Sequence, residues 1–109
     1  MQKGRARFLY PASAAEQLQR ALAQLDIAAD VHVGDRIALV SVWTDLVVWT
    51  DGVIYLWWTG RTSPRTRRYV YTGYPVTRLE AVAQAVKHRY DALRAYRRPW
   101  SADGAPCGR

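Results

Sequence analysis

Apolar residues recur along this chain with two different periods, and each change of period marks an element. Leu18, Ala21, Leu22 and Leu25 fall at i, i+3, i+4 and i+7, leaving Gln17, Gln19, Arg20 and Gln24 toward water. That spacing lays one apolar stripe along a helix. Ser13 and Glu16 stand three apart ahead of the stripe, as in a capping box, where the hydroxyl accepts from the N3 amide and the carboxylate accepts from the cap amide. A helix over about residues 14–26 is predicted.

The period then drops to two. Val31 and Val33 alternate with Asp30 and His32, Gly34-Asp35 supplies a turn, and Arg36 to Trp43 is a β-rich run that Thr44-Asp45 interrupts. Leu46 to Thr50 and Val53 to Thr59 flank Asp51-Gly52. Asp-Gly between two apolar runs signals a two-residue type I′ hairpin, whose central residues both need positive φ. That hairpin would set Trp49 opposite Ile54, Val48 opposite Tyr55, Val47 opposite Leu56 and Leu46 opposite Trp57. Gly60 to Arg68 is a polar loop containing Pro64, and Tyr69 to Thr72 is a further short strand ending at Gly73. Thr77 and Glu80 repeat the capping-box spacing before an apolar stripe of Leu79, Val82, Val86, Tyr90 and Leu93, so a second helix is expected to about Arg97, ahead of Pro99.

The order is helix, three- to four-stranded antiparallel sheet, helix: an α+β two-layer domain with both helices on one face. In topology alone it is similar to the double-stranded-RNA-binding domain. That family's basic signature at the start of the last helix is missing, because Arg78 is followed by Leu79 and Glu80. A chain of 109 residues suits one such core. Residues 1–12 form a basic N-terminal segment, 13–98 the single domain, and 99–109 a tail rich in Pro, Gly, Ala and Ser that is expected to be flexible.

The apolar runs, such as Leu46 to Trp49, are far short of the ~20 residues that span a bilayer, and no apolar export segment follows the first basic residues. No membrane association is expected. The single cysteine, Cys107, allows no disulfide within the chain and no cysteine metal site. A cytoplasmic location follows as the expectation.

Charge changes the picture more than composition does. The net charge is +7, but residues 61–98 hold ten Lys and Arg against Glu80 and Asp91, whereas residues 11–60 carry a net −4. A polyanion-binding face collects charge in this way. The loop Gly60 to Arg68 contains Arg61, Arg65, Arg67 and Arg68 with Thr62, Ser63 and Thr66, suited to phosphate because guanidinium groups fork onto its oxygens and hydroxyls add neutral donors. Lys87 and Arg94 lie on the polar side of the last helix, and Lys3, Arg5 and Arg7 precede the first. Arg94, Arg97 and Arg98 also have a purely structural reason to be there, since cations near a helix C-terminus are favoured by its dipole.

The hairpin is apolar on both faces, with Val47, Trp49, Ile54, Leu56 and Trp58 on one and Leu46, Val48, Tyr55 and Trp57 on the other. A sheet covered by helices on one side normally shows polar residues on its open side. A second copy, another protein, stacked nucleic-acid bases or the chain's own Phe8 and Tyr10 are the candidates to cover the open face. Tyr55, Trp57, Tyr69 and Tyr71 are the residues expected on that aromatic interaction face.

Catalysis finds no support. His32 and His88 have no nucleophile or carboxylate at triad or metal-site spacing, Asp45 and Asp51 sit where turns need Asp, and no phosphate-cradling glycine motif occurs. No cofactor or metal is expected. The leading expectation is a non-enzymatic nucleic-acid-binding protein using Arg61, Arg65, Arg67, Arg68, Lys87 and Arg94. The alternative is a homodimerisation or protein-interaction module using the aromatic face, and a Trp-lined small-ligand pocket is the third reading.

Overall fold

The computed structural model describes residues 9–103, and side chains as far as residue 95. Helix α1 (Pro11–Ala23) leads into strands β1 (Asp30–Val33), β2 (Ala38–Trp43), β3 (Leu46–Thr50), β4 (Ile54–Thr62) and β5 (Tyr69–Pro75); a 3₁₀ turn (Val76–Arg78) then feeds helix α2 (Leu79–Asp103). The strands form one antiparallel meander in sequence order, β1-β2-β3-β4-β5. The α+β two-layer arrangement is therefore the expected one, with five strands in the sheet.

Helix α1 begins three residues before the expected start. Tyr10 is the N-cap in extended conformation and Pro11 occupies the first turn, with no side-chain cap. Proline suits that position because its missing N–H would have no intrahelical partner and its φ is already helical. Ser13 lies inside the helix rather than capping it. The far end closes with a Schellman arrangement: Asp26 takes φ 65°, its amide reaches the Ala23 carbonyl, and the Ile27 amide reaches the Leu22 carbonyl at 3.0 Å. This reversal returns Ile27 to the core, where it is buried. At the second expected capping box, Pro75 is the N-cap of the 3₁₀ turn, again without a side-chain cap. Helix α2 continues across Pro99 to Asp103; an interior proline removes one hydrogen bond without necessarily ending a helix.

The β3–β4 connection is not the two-residue type I′ turn. Only Gly52 has positive φ, +95°, and the pairing is Trp49 with Leu56 and Thr50 with Tyr55. Two side chains hold the longer connection. Thr50 Oγ1 donates to the Ile54 carbonyl at 2.7 Å and accepts from the Gly52 amide at 3.0 Å, while Asp51 Oδ1 accepts from the amides of Val53 and Ile54. The register differs from the expected one by two residues, which preserves the face of every side chain. Strand β5 also passes through Gly73 instead of stopping there: Gly73 pairs with Leu56, where a Cβ would come within 3.1 Å of Leu56 Cδ1.

The core lies between the sheet and the helices. Ala14, Ala15, Leu18 and Leu22 of α1 and Val82, Ala83 and Val86 of α2 pack on Ala38, Val40, Leu46, Val48, Tyr55 and Trp57. The helices thus cover the Leu46/Val48/Tyr55/Trp57 face.

Candidate binding surface

Alternation along the strands sends Leu39, Val47, Trp49, Leu56, Trp58 and Tyr71 to the face away from the helices. Register links them directly: Leu39 lies opposite Trp49, Trp49 opposite Leu56, and Trp58 opposite Tyr71. Trp49 is 46% exposed and Tyr71 47%, so this open face is apolar and accessible. The Trp58 and Tyr69 rings lie 4.8 Å apart at a 31° tilt, and the Trp58 indole N–H donates to the Arg61 carbonyl at 2.8 Å. That bond lays the indole along the end of β4 and builds a platform of Trp58, Tyr69 and Tyr71.

The four aromatic residues expected on one face divide. Tyr69 and Tyr71 are on the open face and exposed, but Tyr55 and Trp57 are buried beneath the helices, at 0% and 3% exposure. Trp57 stacks on Tyr74 at 5.7 Å, and the Tyr55 hydroxyl bonds to the Ala14 carbonyl. They belong to the core. Trp49 and Trp58 take their place on the open face; the alternation of β4 separates Trp57 from Trp58, but only the position of the helices decides which side is open.

The six basic residues divide as well. Arg65, Arg67 and Arg68 are exposed in the β4–β5 loop, which is closed by bonds from the Ser63 amide to the Arg68 carbonyl and from the Arg67 amide to the Ser63 carbonyl. Arg67 has φ 61°. The loop leads straight into Tyr69, so the segment that carries the three arginines adjoins the aromatic platform. Arg61 stands apart from them: it follows a bulge at Gly60, φ +92°, where the β4–β5 register shifts, and it lines a cleft with Val70, His88 and Arg89 on the helix side of the sheet. Lys87 is engaged by Asp91 at 2.7 Å. Arg94 lies over the rings of Trp43 and Tyr90, at 5.7 and 5.4 Å from their centroids. Lys3, Arg5, Arg7 and Phe8, like Cys107, lie outside the described residues.

Meander topology also sorts the turns between two ends of the sheet, with both signs of charge at each: Asp45 lies in the β2–β3 turn, and Arg36 follows Asp35 in the β1–β2 turn. The β2–β3 turn and the arginine loop share one end of the sheet, reached by the C-terminal half of α2 through Tyr90 on Trp43. Asp35 and Asp51 lie in turns at the opposite end. There, Ile37, Trp49, Ile54 and Leu56 line a shallow apolar recess of about 130 Å³. Asp51 is held below the usual carboxylate range chiefly by the Val53 amide that it accepts from.

Among the described residues no cluster of His, Cys, Asp and Glu could hold a metal ion, and no helix is long and apolar enough to cross a membrane. The chain matches no family model, no curated protein and no solved structure.

Proposed function

We propose that this is a non-enzymatic cytoplasmic protein that binds single-stranded nucleic acid on the open face of its sheet. One observation carries the reading: the Trp58–Tyr69–Tyr71 platform adjoins the loop bearing Arg65, Arg67 and Arg68. Bases stack on aromatic rings without regard to sequence, and guanidinium groups beside them take the phosphates. In this arrangement Trp58, Tyr69 and Tyr71 stack bases, the three loop arginines contact the backbone, and Trp49 extends the path across the sheet. Lys87 and Arg94 are left out of the contact set, since on helix α2 Lys87 is engaged by Asp91 and Arg94 by Tyr90. The test is anisotropy of labelled single- and double-stranded oligonucleotides titrated with the full chain. Single-strand binding that is weakened both in Trp58→Ala and in the Arg65→Gln/Arg67→Gln/Arg68→Gln variant supports the reading; no binding at low salt ends it.

A second reading rests on the recess at the other end of the same face. Ile37, Trp49, Ile54 and Leu56 place apolar area away from the arginines, which suits a protein surface better than a polyanion. Under this reading the open faces of two copies pack together. Sedimentation of the full chain distinguishes the two: a dimer that Trp49→Ser dissociates, insensitive to salt, identifies self-association.

A further inference from the structure

A second basic site lies on the opposite side of the sheet from the aromatic platform. Strand β4 bulges at Gly60, and Arg61 lines the helix side with its cross-strand partner Val70. Helix α2 brings His88, Arg89 and Ala92 to the same place, and with Thr59 they enclose a cleft of about 380 Å³. Gly60 is favoured there by its φ of +92°, which residues with a Cβ rarely adopt, and the Arg89 guanidinium packs against the space that a Cβ would fill.

The cleft gathers Arg61, Arg89 and His88, and no carboxylate lines it. Among the described residues the recorded ion pair is Lys87 with Asp91, on other positions of α2. Arg89 Nε is buried with no hydrogen-bond partner. The Thr59 hydroxyl is used in holding the bulge, donating to the Val70 carbonyl at 2.9 Å and accepting from the Arg61 amide. Two like-charged guanidinium groups converging on one cleft, one with a desolvated N–H left over, form an unfavourable arrangement for the protein alone. An anion in the cleft offsets the repulsion between the two guanidinium groups.

We infer that this cleft binds a phosphate group, held by Arg61 and Arg89 with His88 as a third donor. Phosphate matches the donor set because its tetrahedral oxygens accept from two guanidinium forks at once. The site is independent of base stacking, so a free phosphate ion and the phosphate of a nucleotide are both ligands of the right chemistry.

The experiment is an amide-resolved NMR titration of the full chain with inorganic phosphate, at ionic strength held constant with chloride. Saturating shifts at the amides of residues 59–61 and 88–92 are expected, with affinity at least about tenfold weaker in Arg61→Gln, the scale of one lost charge-assisted contact. Arg89→Lys keeps the charge, loses the fork, and is expected to weaken binding too; should it fail to fold, His88→Gln takes its place. Shifts that never saturate, or an affinity unchanged by Arg61→Gln, overturn the assignment. Repeating the titration with a nucleoside monophosphate, and with the same nucleoside unphosphorylated, separates the two sources of phosphate. Because inorganic phosphate carries no base, the result is distinct from the outcome of the oligonucleotide test on the sheet face.

Discussion

The phenol of Tyr55 donates a hydrogen bond to the main-chain carbonyl of Ala14 at 2.8 Å, joining the centre of the sheet to the first turn of α1. Tyr55 is fully buried, so this is the point at which strand and helix layers are fixed to each other by direction as well as by apolar contact. Tyr55→Phe keeps the ring and removes the donor. It is expected to cost about 1 kcal/mol, the net worth of one buried neutral hydrogen bond, read from urea unfolding with an unchanged slope.

The same burial gives Tyr55 a signature in alkali. Desolvation pushes its hydroxyl up to about 12, from 10.0. The native state therefore keeps a proton that the unfolded chain releases, and the stabilisation, fully present below pH 10, is lost as pH rises through that interval toward 12. Wild type is expected to lose on the order of 2 kcal/mol more than Tyr55→Phe across that range, which parallel unfolding curves at pH 9 and above would show.

Asp51 behaves in the opposite sense. Its carboxylate accepts from the amides of Val53 and Ile54 at 2.9 and 3.1 Å, which holds its pKa below 3.8. A depressed carboxylate stabilises the fold at pH values above its unfolded pKa, and that contribution is lost as pH falls through 3.8 and below. Asp51→Asn retains an acceptor for the turn and is expected to abolish this acid-side dependence while costing less than about 1 kcal/mol at neutral pH. Acid titration of both proteins by circular dichroism checks it.

The turn containing Asp51 also separates what can be read in the chain from what cannot. Strand periodicity and the Asp-Gly pair located the connection, and the two-residue difference in register left the facial sorting of Leu46 to Trp58 intact. The turn type depended on Thr50, whose hydroxyl takes the Gly52 amide and gives to the Ile54 carbonyl; no local pattern separates that from an ordinary strand threonine. Gly60 read as the start of a loop, yet it forms a bulge inside β4, and Arg89 of a helix 29 positions along the chain packs against it. Asp26 ends α1 in a conformation more often taken by glycine. The largest gap lay in the aromatic residues. Alternation splits Trp57 from Trp58, but the choice of buried face depends on how α1 and α2 pack, which is a property of the whole core.

That choice makes tryptophans on adjacent strands respond differently. Trp57 is 3% exposed within the core, and Trp57→Ala is expected to cost about 3–5 kcal/mol through lost burial and the cavity left behind. Trp49 is 46% exposed on the open face, and Trp49→Ala is expected to change stability by less than about 1 kcal/mol while weakening whatever occupies that face. Unfolding curves on both variants separate the core role from the surface role before any ligand is added.

The last prediction concerns salt, and it distinguishes the two occupants proposed for the open face. Contacts with single-stranded nucleic acid release condensed cations, so log affinity falls with log salt by about 0.7 per phosphate neutralised. Replacing Arg65, Arg67 and Arg68 together with Gln is therefore expected to flatten that slope by about 2, three contacts at ~0.7 each. Trp58→Ala removes stacking without charge, so it should lower affinity at every salt concentration and leave the slope unchanged. A protein partner held by Trp49, Ile54 and Leu56 would give the reverse pattern, indifferent to the loop arginines and to salt yet sensitive to each apolar truncation. Arg61→Gln supplies the internal control: its side chain lines the cleft on the helix side of the sheet, so a strand confined to the open face keeps its slope in that variant, and a changed slope would mean that the strand reaches the cleft.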